Sequence, residues 1–116
     1  MIYSEYDNPG IKRSDRANGI HFAWEDKVDM LFAPYSFLSL ARLSGDDELV
    51  LTYSFGTVTI QGRALYYIHE LVGEFKLQKI IVQPMPEPNM QVWIKSIRFE
   101  PIQDKELMEP VFPGNR

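Results

Sequence analysis

The strongest constraint on this chain is a change of hydrophobic period between Leu49 and Phe75. Leu49, Leu51, Tyr53 and Phe55 alternate with Val50, Thr52 and Ser54. That repeat of two sets one face of a strand against a core and the other against water. After a turn at Phe55-Gly56, Thr57-Val58-Thr59-Ile60 places β-branched residues at successive positions ahead of Gln61, which suits a pleated, half-buried surface. From Arg63 the repeat changes. At about 100° per residue, Ala64, Leu65, Ile68, Leu71, Val72 and Phe75 share one arc, with Arg63, Tyr66, Glu70 and Glu74 opposite. The spacing predicts an amphipathic helix over 63–75, with Gly62 as its N-cap and Gly73 near its end.

A helix with one apolar stripe needs a surface to cover, and the strands before it supply one. Ser44-Gly45-Asp46-Asp47 is turn chemistry, so Phe37–Leu43 (FLSLARL) becomes the first strand of an antiparallel meander. Taken alone, that stretch is ambiguous: Leu38 and Ala41 have helical spacing, Leu38 and Leu40 strand spacing. Upstream, Ile20–Trp24 and Val28–Phe32 flank the charged turn Glu25-Asp26-Lys27 and suggest a hairpin ended by Pro34. Downstream, Leu77–Val82 reads as a strand. Pro84-Met85-Pro86-Glu87-Pro88-Asn89 then forms an extended loop, because three prolines remove ladder donors. In the last strand, Met90–Phe99, Val92 and Ile94 fall on one face and Trp93, Ile97 and Phe99 on the other, a sign of cover on both sides.

The expected fold is therefore α+β and mostly β: a curved antiparallel sheet or small barrel of about six strands with one amphipathic helix packed on it. At 116 residues the chain accommodates one such domain, over 20–100. Residues 1–19 read as an irregular arm because Asn-Pro-Gly and Asn-Gly punctuate a polar stretch, and 101–116 as a tail rich in proline and charge.

Charge and residue types then narrow the chemistry. The net charge is -4, and the imbalance lies in residues 1–60, where five cations meet nine acids. A chain of that sign repels polyanions as a whole, so nucleic acid is a disfavoured partner. Without cysteine there is no disulfide, thiolate metal site or cysteine nucleophile. An apolar run long enough to span a membrane is absent, as is a leader pattern, which makes a cytoplasmic location the expectation. The acidic turn Asp46-Asp47-Glu48 lacks the alternating ligands and distal glutamate of a calcium loop, and no histidine spacing suits a transition metal. Phosphate-cradling glycine loops and nucleophile elbows are missing too. No metal, cofactor or catalytic residue is expected.

Two histidines remain as polar contacts for any pocket. His69 sits at the edge of the helix stripe, and Glu70 diverges from it by about 100°, so that carboxylate does not orient it. His21 has no partner nearby in sequence. Both read as structural residues first and as ligand contacts only if a pocket forms around them. The aromatic content, 13%, points elsewhere. Trp93, Tyr66 and Trp24 fall on two-sided strands, outer faces or element ends, where aromatic rings serve interfaces. Tyr67, Tyr35 and Phe112 share that character. The expected function is self-association or binding of another protein through such residues and an unpaired sheet edge. The alternative is a small-ligand site or metal-independent enzyme inside the curved sheet, with His69 or His21 as a contact.

Overall fold

The computed structural model describes residues 10–24, 30–86 and 90–102. Eight strands and one α-helix are present among them: β1 (Ile11–Arg13), β2 (Gly19–Ala23), β3 (Met30–Pro34), β4 (Leu38–Ser44), β5 (Glu48–Tyr53), β6 (Gly56–Arg63), α1 (Tyr66–Gly73), β7 (Leu77–Ile81) and β8 (Trp93–Pro101). A short 3-10 turn, Tyr35–Phe37, joins β3 to β4. The domain is mostly β with its helix packed on a sheet, as the change of period requires.

The strands divide into two four-stranded sheets, ordered β1-β7-β2-β3 and β4-β5-β6-β8, and no closed barrel forms among the described residues. Neighbours run antiparallel except β2 and β7, which are parallel. The meander β4-β5-β6 arises from the turns read in the sequence, and β2 and β3 pair antiparallel as the expected hairpin requires. The hairpin's turn lies outside the described residues, as do residues 1–9, the end of the proline loop at 87–89 and the tail beyond Ile102, including Phe112. The irregular arm expected over 1–19 is corrected at Ile11–Arg13, which pairs with β7, and at Ala17, which is buried. Turn residues around this three-residue strand masked it, since only Ile11 carries an apolar side chain.

One continuous core joins both sheets and the helix. Ile20, Phe22, Leu77 and Ile80 enter it from the first sheet, Leu49, Leu51, Val58 and Ile60 from the second, and Leu65, Ile68, Leu71 and Val72 from the helical segment. Each such side chain contributes roughly 1.5–3 kcal/mol through removal from water. Tyr67, expected at the helix edge, and Tyr35, expected near an interface, are also buried.

Irregularities at three ladders account for the patterns that alternation alone misreads. Opposite β5, Leu38 pairs with Tyr53 and Leu40 with Thr52, leaving Ser39 as an extra residue. Gln78 is extra opposite β1, and Lys95 opposite β6. An inserted residue resets which face follows, so core positions fall three apart: Leu38 and Ala41, Leu77 and Ile80, Ile94 and Ile97. This corrects the reading of β8 as covered twice. Ile94, Ile97 and Phe99 pair with Gly62, Ile60 and Val58 on one face, and Trp93 pairs with Arg63 on the other. Gly62 is needed at the bulge because a Cβ there would strike the Trp93 carbonyl.

The helix is shorter than its stripe. Arg63 stays in the β6 ladder opposite Trp93, and Ala64 turns through a φ of 57° before Leu65 caps α1, so Gly62 is not the N-cap. Strand pairing overrides helical period over those residues. The acidic turn completes the start of the helix: the Leu65 N–H donates to the Asp46 carbonyl at 2.9 Å and the Tyr66 N–H to Asp46 Oδ1 at 2.8 Å. At the other end the Phe75 N–H donates to Val72 and the Lys76 N–H to Leu71. Phe75 takes the left-handed position at φ 59°, which carries its ring off the stripe and leaves it 53% exposed.

Candidate functional site

The residues singled out by sequence are dispersed. His69 is half-buried, and its Nε2 lies 3.1 Å from the Ala41 carbonyl of β4. A carbonyl only accepts, so this nitrogen is the donor and the ring covers part of the β4 edge. His21 lies on the outer face of β2, its ring 4.6 Å from that of Phe32. The two candidate ligand contacts thus occupy separate places.

Trp93 and Trp24 serve the fold. Trp93 Nε1 donates to the Gln83 carbonyl at 2.9 Å, and the Arg63 guanidinium lies 5.9 Å from its ring centre. Trp24 Nε1 donates to the Ile97 carbonyl at 2.9 Å, tying the end of β2 to β8. Both rings are half-buried, whereas Tyr66 on the outer face of α1 is 46% exposed. Among the described residues no set of three His, Asp or Glu side chains converges as a metal site. Within them, no helix is long and apolar enough to cross a membrane.

Two buried phenols face low-dielectric surroundings. Tyr35 donates its hydroxyl to the Leu77 carbonyl at 2.7 Å, and the Tyr53 hydroxyl has no hydrogen-bond partner among the described residues. Burial pushes both above the ordinary tyrosine range. At Tyr53 the neighbouring Tyr35 adds to that rise.

The sheet edges differ in how they are closed. β1 carries Lys12 and Arg13. β4 carries Arg42 and has its Ala41 carbonyl occupied by His69. β8 carries Lys95, Arg98 and Glu100, and its Ile94 and Ile97 carbonyls accept from the Gln83 N–H and Trp24. β3, Met-Leu-Phe-Ala-Pro, has no charge at all.

The register shows which groups β3 offers. The Val82 N–H donates to the Ala23 carbonyl, so Ala23 and, by alternation, His21 and Gly19 turn their backbone groups toward β7. Ile20 and Phe22 therefore bond Ala33 and Leu31, while Met30 and Phe32 direct their N–H and C=O groups outward. Their side chains are 46% and 45% exposed. Beside this edge runs a groove of about 420 Å³ lined by Trp24, Met30, Leu31, Ile97, Arg98 and Phe99. Sequence reasoning named Trp24 but missed Met30 and Phe32. The absence of charge from a strand that ends in proline was the available signal. No protein-family model, curated protein or solved structure matches this chain.

Proposed function

We propose that this protein is a self-associating module whose copies join through β3. The observation that carries the reading is the contrast among the sheet edges: β3 alone of the four is uncharged, and it directs Met30 and Phe32 backbone groups outward. An exposed apolar edge is a template for another strand. A second copy suits it because a two-fold contact sets the same patch against itself, which an uncharged strand permits without repulsion. Antiparallel pairing centred on Phe32 lets the two Phe32 residues exchange N–H and C=O groups, and Pro34, lacking an N–H, ends the ladder.

The alternative of a ligand pocket finds less support, since its two histidines are apart. The five-residue strand is small against the roughly 1,000 Å² of a stable interface, so the association is weak, in the range of about tens to hundreds of micromolar. Light scattering over that range tests it. The mass of the unmodified protein rises toward a dimer, Met30→Lys and Phe32→Lys hold it at the monomer, and Leu40→Lys on β4 changes nothing. A monomer at about 1 mM, or loss of association in Leu40→Lys alone, refutes the reading.

A further inference from the structure

We propose that the outer face of the β1-β7-β2-β3 sheet binds a nucleotide, with Lys12 and Lys79 on its phosphate and His21 and Phe32 against its base. Register places these residues in one row: Lys12 pairs with Lys79, Lys79 with His21, and His21 with Phe32. The adjacent row, Ile11, Ile80, Phe22 and Leu31, turns into the core, so the first row faces away from it.

Two lysines directly opposite each other repel, an arrangement that an anion between them relieves. Neither forms an ion pair among the described residues, whereas Lys76 has Glu74 and Arg98 has Glu100. The other strand positions on this face, Gly19, Ala23, Met30, Pro34 and Ile81, include no acid. The expectation against nucleic acid rested on whole-chain charge. Pairing of β1 with β7 concentrates cations that the sequence separates by 67 positions, Lys12 and Lys79, on a face whose described strand positions include no carboxylate.

The aromatic half supplies the second element of recognition. The His21 and Phe32 ring centres are 4.6 Å apart with planes inclined by 41°, and Phe32 is 45% exposed. The Phe32 ring lies against Gly19, and Ala23 on the other side of His21 is fully buried, so a base stacks on the exposed side of Phe32. Strands lie about 4.8 Å apart, so Lys79 and Phe32 stand about 10 Å apart across the row, a span suited to a phosphate at one end and a base at the other. Base stacking on aromatic side chains beside a cationic track is a general mode of nucleotide and single-strand recognition. Edge pairing through β3 extends the sheet in its own plane and adds a strand beside Phe32 while leaving Lys12, Lys79 and His21 uncovered, so Lys12→Gln and Lys79→Gln test this site apart from the proposed association.

Titration of the full chain with adenosine monophosphate, inorganic phosphate and a short single-stranded oligothymidylate tests the proposal, read by backbone chemical shifts and by affinity. Adenosine monophosphate shifts the signals of Lys12, His21, Phe32 and Lys79 in the unmodified protein. Lys12→Gln and Lys79→Gln each weaken binding about tenfold and Phe32→Ala about fivefold, while Lys95→Gln on β8 leaves it unchanged. Tighter binding of the oligothymidylate that weakens with salt assigns the site to a strand, and equal affinities assign it to a mononucleotide. Inorganic phosphate bound as tightly as adenosine monophosphate, shifts centred elsewhere, or no binding at low salt overturns the proposal.

Discussion

Replacing Gly62 with alanine tests whether the bulge at Lys95, opposite Gln61 and Gly62, sets the phase of β8. The new Cβ would strike the Trp93 carbonyl oxygen and sit 2.9 Å from its carbon and 3.3 Å from Ile94 Cα. These are backbone atoms held by the ladder, so no side-chain rotation relieves the contact. Overpacking of this kind costs about 1–3 kcal/mol, offset by about 0.4–1 kcal/mol from the smaller entropy of the unfolded alanine chain. The backbone clash places Gly62→Ala at the upper end of that range, a net loss of about 2 kcal/mol. For a domain near 100 residues this lowers the Tm by about 8–16 °C. Urea denaturation followed by tryptophan fluorescence measures the loss. Gly73→Ala is the control: nothing lies within 4 Å of its Cβ, and the substitution stabilises by about 0.5–1 kcal/mol. If Gly62→Ala is within about 0.5 kcal/mol of the unmodified protein, β8 does not approach β6 as described.

Asp46 is expected to matter through the helix it caps from another part of the chain. Asp46→Ala loses about 1–2 kcal/mol, because it removes the acceptor for the Tyr66 N–H and leaves alanine at a φ of 74°; Asp46→Asn stays near the original stability, and thermal denaturation separates the two. The phenols give an alkaline signature. Their folded pKa values lie above the unfolded one near 10, so their contribution is fully present below about pH 10 and declines as pH rises above it. Tyr53→Phe reduces that decline in pH-dependent urea titrations and costs little at neutral pH, since the hydroxyl has no partner among the described residues. Tyr35→Phe also reduces it and loses about 1 kcal/mol at neutral pH with the Leu77 hydrogen bond.

The meander and the helix were legible because their core residues obey a single period. Leu49, Leu51 and Tyr53 alternate without interruption, and Leu65, Ile68, Leu71 and Val72 hold one stripe. Bulges hid the rest. Leu38 with Ala41, Leu77 with Ile80 and Ile94 with Ile97 show a spacing of three inside strands, which imitates a helix or a strand buried on both faces. The division into two sheets depends on β7 pairing in parallel with β2, a contact between distant segments for which local spacing carries no signal. The candidate surfaces were hidden for the same reason. Trp24 and Trp93 stood out by size, yet their indole N–H groups bind backbone carbonyls of their own domain. The row from Lys12 to Phe32 exists only once three registers are known.

Amide hydrogen exchange at single-residue resolution, measured over a wide range of protein concentration, probes the β3 edge most directly. The Phe32 N–H points away from β2, so edge pairing slows its exchange as concentration rises through the micromolar range, while the Leu31 N–H, already bonded to β2, changes little. Phe32 exchange that stays independent of concentration up to about 1 mM, or slowing confined to β4, contradicts self-association through β3.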